Sequence, residues 1–181
     1  MSREIFSTTK ALIARKIREG CMMNLKSVIQ LRKEGKLEVA LQVMERLLEQ
    51  EPNNATYQYQ MAWCNDSLGN EKAAVPYYKR AIELGLPPEQ LKGAYLGLGS
   101  TYRTLGQYEE SRDVLSTALE AFPDNNELKV FYAMTLYNLG AHNEAMQHLL
   151  HVITQTTQDE EVLKYKRAID FYKERLDEVW E

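Results

Sequence analysis

Cysteine is almost missing from this sequence. Two residues, Cys21 and Cys64, among 181 are too few for a disulfide framework and lack the paired spacing of a zinc site, so both read as reduced thiols. Long apolar runs are missing as well. No stretch approaches the roughly 18 consecutive apolar residues of a membrane span, and the N-terminus lacks the apolar region and cleavage site of a secretory signal. A cytoplasmic location without membrane contact is the expectation. Histidine is confined to His142, His148 and His151. The last two stand three apart on a helix, but no carboxylate or cysteine joins them at ligand spacing, which predicts a solvated outward face and no metal. Glycine-rich phosphate loops, nucleophile elbows and Cys/His pairs with a third orienting group are not found. The chain is therefore read as no enzyme, with no catalytic residue and no cofactor.

Positive charge is scarce outside one short segment. Residues 1–20 carry five basic groups against two acids, a balance of +3, and the net charge of −4 leaves −4 − 3 = −7 for the remainder. An acidic body without a basic stripe excludes nucleic acid as a partner, because phosphate contact dominates that affinity. What the sequence does have is 44% apolar and 27% charged residues, the balance of a globular protein.

These residues repeat. Glycines stand at Gly35, Gly69, Gly106 and Gly140, spaced by 34, 37 and 34, and small residues five positions later keep the same beat at Ala40, Ala74, Ser111 and Ala145. Pro52 and Pro123 each follow a glycine by 17. Between markers the apolar residues recur at helical spacing, as in Leu37, Ala40, Leu41, Met44, Leu47 and Leu48, and again in Val114, Leu115, Ala118, Leu119 and Phe122. Each unit thus reads helix, glycine turn, helix, proline break. The extra residues of the 37 spacing are expected in an extended connection over Leu86, Pro87, Pro88, Glu89 and Gln90.

With these markers the sequence resembles the tetratricopeptide repeat family. The third unit matches most fully, through Tyr95, Leu98, Gly99, Tyr102, Leu105, Gly106, Ala118 and Pro123. Gly69, Ala74, Tyr78 and Ala81 carry the second, and Ala133, Leu139, Gly140, Ala145 and Leu149 the fourth. Asn65 departs from the pattern's Tyr, Ser111 from its Ala, and the first unit lacks most markers of its first helix. The resemblance implies an all-α, right-handed superhelical solenoid of helical hairpins. Its four repeats are expected at 21–54, 55–88, 92–125 and 126–159, with a capping or mobile helix over 1–20 and a C-terminal capping helix over 160–181.

It also implies a concave groove, lined by the first helix of each unit, that receives a peptide. The family's groove positions fall on Leu25 and Ile29, on Tyr59, Trp63 and Asp66, on Leu96, Ser100 and Arg103, and on Met134 and Tyr137 with Val130; Phe131 lies beside them. Aromatics, methionine and arginine are what binding hot spots favour. The expected function is an adaptor binding a peptide segment of a partner protein. A self-associating module, with the groove or a terminal helix as the contact between copies, is the alternative. The subset of the family that clamps a chaperone's terminal carboxylate is not reproduced, since Leu25 and Ile29 stand where the clamp needs Lys and Asn.

The small residues mark close helix approach, so Ala74→Trp should overpack the array by about 1–3 kcal/mol. A lowered melting temperature by circular dichroism is expected; an unchanged melt contradicts the register.

Overall fold

Four left-handed glycines set the rhythm of the backbone. Gly35, Gly69, Gly106 and Gly140 adopt φ of 71°, 75°, 76° and 81°, a region closed to most residues by their Cβ. Each turn closes with the same hydrogen bond. The N–H after the glycine donates to the carbonyl five residues earlier, Lys36 to Leu31, Asn70 to Asn65 and Gln107 to Tyr102 at 2.9 Å and Ala141 to Leu136 at 3.0 Å, which satisfies a carbonyl that the ending helix leaves open. The structure is a computed structural model and describes residues 24–181. The helix expected over 1–20 and Cys21 lie outside the described residues.

Among the described residues the secondary structure is helical throughout: α1 (Leu25–Lys33), α2 (Leu37–Gln50), α3 (Ala55–Ser67), α4 (Glu71–Leu84), α5 (Pro88–Thr104), α6 (Tyr108–Ala121), α7 (Asn126–Asn138), α8 (His142–Thr156), α9 (Glu160–Lys164) and α10 (Lys166–Tyr172). Asparagine side chains cap three of them. The side chains of Asn24, Asn54 and Asn125 accept from the backbone N–H three residues on, at 3.1, 3.1 and 2.7 Å, as good N-caps do. Ser27 completes a capping box by accepting from the Asn24 N–H at 3.1 Å.

Two expectations about connections are corrected. Only Gly85, Leu86 and Pro87 lie outside helix between α4 and α5, and Pro88 is the first residue of α5. Proline suits that position because the N–H it lacks would have no helical partner there. The extra residues of the third unit therefore lengthen a helix, 17 residues in α5 against 13 in α3 and α7. At the C-terminal end, the single capping helix is replaced by a short pair broken at Tyr165. There α8 holds α10 directly: Lys166 Nζ donates to the Thr154 carbonyl at 2.8 Å and the Thr154 hydroxyl to Asp170 Oδ1 at 3.0 Å.

The described residues form two compact units, one reaching to Ala94 and the other running from Tyr95 to Glu181, so that the division falls within α5. In the first, Val28 of α1, Ala40, Val43, Met44, Leu47 and Leu48 of α2, and Met61 and Cys64 of α3 make one buried cluster, with Leu31, Leu41, Tyr57 and Tyr77 packed against it. In the second, Leu115 and Ala118 of α6 join Leu128 of α7, and Ala133 and Leu136 of α7 join Ala145 of α8. Small residues make the helices meet. A Cβ on Gly99 would lie 2.5 Å from Leu115 Cγ and 2.7 Å from its Cδ2, closer than packed carbons allow. The Ser111 hydroxyl, where the repeat pattern has Ala, donates to the Gly99 carbonyl at 2.8 Å and meets Thr135 Oγ1 at 2.9 Å. The other departure, Asn65, is buried with its amide donating to the Met61 carbonyl at 3.0 Å. Both are satisfied inside the core, as buried polar groups must be.

Gly99→Ala should lower unfolding free energy by about 1–3 kcal/mol through overpacking, read by urea denaturation; a variant as stable as the parent would show that α5 and α6 do not meet at this contact.

Candidate functional site

The aromatic residues expected on α3 are drawn into the structure of the first unit. Tyr59 is half-buried, 6.0 Å from the Trp63 ring and 6.3 Å from the Tyr78 ring of α4. Its ring sits against Gly93 of α5, where a Cβ would collide with the phenol. Trp63, 42% exposed, is covered on one side by Arg32 of α1, whose guanidinium carbon lies 3.4 Å from the ring centroid, a cation–π contact. The same guanidinium hydrogen-bonds Gln60. Burial pulls its pKa below the ordinary arginine value. Asp66 accepts from the Tyr78 hydroxyl at 3.2 Å, and burial, with that carboxylate next, pushes the phenol pKa up. Arg32 carried no signal in the sequence reading, because the markers of the first helix are weak there.

In the second unit the expected residues part into two sets. Leu96 of α5 and Phe131 of α7 pack against the cluster of Leu115, Ala118 and Leu128, so they serve the core. Ser100 is half-buried on α5. Arg103, Met134 and Tyr137 come together around a cleft of about 250 Å³, completed by Ala133, His142, Ala145, Met146 and Leu149. The α8 contributors stand at helical spacing, three or four residues apart, and so share one face. Tyr137 is 63% exposed, with His142 4.9 Å from its ring. Arg103 Nε donates to Asn138 Oδ1 at 2.8 Å, which orients the guanidinium, and its place in the last turn of α5 suits the helix dipole.

His148 is not simply solvated on the outward side of α8. It stacks edge-on against Tyr132 at 5.1 Å, and burial pulls its pKa down. Among the described residues no group of three or more His, Cys, Asp or Glu could hold a metal ion. A second exposed aromatic surface lies at the C-terminal end. Phe171, Tyr172 and Trp180 contact one another at ring distances of 5.2, 6.1 and 5.3 Å, with Arg175 4.5 Å over Phe171. Phe171 and Tyr172 close α10, whereas Trp180 lies beyond it, where the chain has left the helix and helical periodicity ends.

The two tyrosines should behave oppositely. Tyr59→Ala is expected to cost about 1–3 kcal/mol, as a half-buried large-to-small change. Tyr137→Ala should stay within about 0.5 kcal/mol of the parent, as an exposed one. Chemical denaturation of both checks this, and equal costs would contradict the placement.

The family model described as "Tetratrico peptide repeat" matches residues 54–176. The human protein O-mannosyl-transferase TMTC1 is 29% identical over 113 residues, 62% of this chain but 12% of that protein, so the chain spans only a small part of that relative's length. Among solved structures, a MamA protein superposes with a TM-score of 0.67 at 17% identity over 87% of this chain and 88% of its own. MamA AMB-1 gives 0.63 at 22% identity, over 77% and 75%. MamA from Desulfovibrio magneticus RS-1 gives 0.60 at 19%, over 85% and 94%. At these identities the likeness is one of fold, an all-α solenoid of helical hairpins. Among the described residues no helix is long and apolar enough to cross a membrane. The architecture is a solenoid of helical hairpins with aromatic clusters at its surface, and by sequence match and fold the chain belongs to the tetratricopeptide repeat family.

Proposed function

We propose that the chain is a structural, self-associating module whose contact between copies involves its C-terminal end. The supporting observation is the run of apolar side chains left open there: Tyr165 is 66% exposed, Phe171 and Tyr172 48%, Leu176 42%, Val179 89% and Trp180 54%. Contiguous exposed apolar surface commonly marks a contact. Tyrosine and tryptophan dominate such contacts because they bury much area with few rotors to freeze. The adaptor reading, with a peptide along Tyr59, Trp63 and Asp66, draws less support because those side chains are engaged with Arg32, Tyr78 and Gly93. A peptide from another protein remains the second reading for the second unit, favoured by the exposure of Tyr137 beside the cleft.

Sedimentation velocity of the purified chain from roughly micromolar to near-millimolar concentration tests the proposal, because association shifts with concentration by mass action. A weight-average mass that rises across this range is expected, whereas a strict monomer throughout would refute self-association.

A further inference from the structure

The cleft beside Tyr137 has a composition that narrows what can enter it. At about 250 Å³ it is smaller than the roughly 300–1,000 Å³ of small-molecule sites, and it suits one large side chain. Met134, Met146 and Leu149 make its walls apolar, Arg103 is its fixed cation, and no acid among the described residues lines it. The occupant it fits is a large apolar side chain carried by an acidic segment.

This chain contains such a segment. Asp177, Glu178 and Glu181 surround Val179 and Trp180. Trp180 touches Phe171 and Tyr172, yet it stays 54% exposed and Val179 89% exposed. Asp177 is held by Asn143 beside the cleft and Trp180 lies on the α10 aromatics, and none of Asp177–Glu181 lines the cleft of its own copy. Among the described residues, nothing buries the apolar surface of Val179 and Trp180 as a protein interface would.

Resting on the self-association proposed above, we infer that Asp177–Glu181 of one copy docks in the Arg103 cleft of another, with Trp180 as the anchor in the apolar walls and its acidic neighbours facing Arg103. Opposite charge at the rim sets register and encounter rate, while the buried aromatic carries most of the affinity. The contact is heterologous, since two different surfaces meet. Association therefore continues past a dimer into chains of copies unless the geometry closes a ring.

Sedimentation velocity of three full-length variants tests this, with circular dichroism confirming their folding. Trp180→Ala damages the segment; Arg103→Glu and Met146→Glu damage the cleft, the latter at a side chain 46% exposed that the fold tolerates. Each alone should weaken association by about tenfold or more. Mixing Trp180→Ala with Met146→Glu leaves one intact cleft and one intact segment, and should give a 1:1 complex that stops at two chains. Association of the single variants as strong as that of the parent would overturn the docking while leaving self-association standing. So would a mixture that pairs no better than its components. A parent that is monomeric at every concentration removes the reading beneath it. If the variants leave association intact but change hydrogen exchange in α8 of the dilute monomer, the segment belongs to its own cleft, and the intermolecular contact is wrong.

Discussion

Leu115 occupies the space that a Cβ on Gly99 would need, and the packing of the second unit depends on such exclusions. One hairpin cannot enclose its own apolar side, so its helices must approach their neighbours closely enough to shut out water. Alanine at positions 40, 74, 81, 94 and 118, all fully buried, provides that approach, because a small side chain lets the helix backbones come close. Where the repeat needs a small residue but carries a polar one, the polar atom is paired. Ser111 bonds the Gly99 carbonyl across the same α5–α6 contact, and no buried side-chain nitrogen or oxygen among the described residues lacks a partner.

That constraint divides the aromatic side chains between two tasks. On α3, close approach of Gly93 brings the Tyr59 ring into contact with its neighbours, and Trp63 lies beneath Arg32. These rings join the helices of the first unit to one another. In the second unit Leu96 and Phe131 belong to the core, whereas Tyr137 and the rings after Lys166 have nothing packed fully over them. Exposed aromatic area is costly to leave in water, which makes the C-terminal end the region where contact with another polypeptide gains most.

The periodic part of this arrangement was legible in the sequence. Glycines 34 or 37 apart, with small residues five later, expose the hairpins because backbone conformation and helix spacing are local requirements that few residue types meet. The connection before α5 misled, since a double proline reads as an extended segment although its second member can open a helix. The role of Arg32 was illegible because it arises between α1 and α3, from residues 31 positions apart that share no motif. The expected binding stripe picked out Tyr59, Trp63, Phe131 and Tyr137 by helical spacing, but periodicity could not say which rings would be covered by neighbours. Trp180 lay beyond the last regular helix, where pattern reasoning has no period to follow.

The central claim is that this repeat works through polypeptide contact at its C-terminal end, and hydrogen–deuterium exchange of the full chain at low and high concentration tests it most directly. The account predicts added protection, on concentration, in α8 and in residues 165–181, with α3 unchanged. Protection that grows instead along α3, around Tyr59 and Trp63, would contradict it and would place the contact on the helix face that the structure assigns to internal packing.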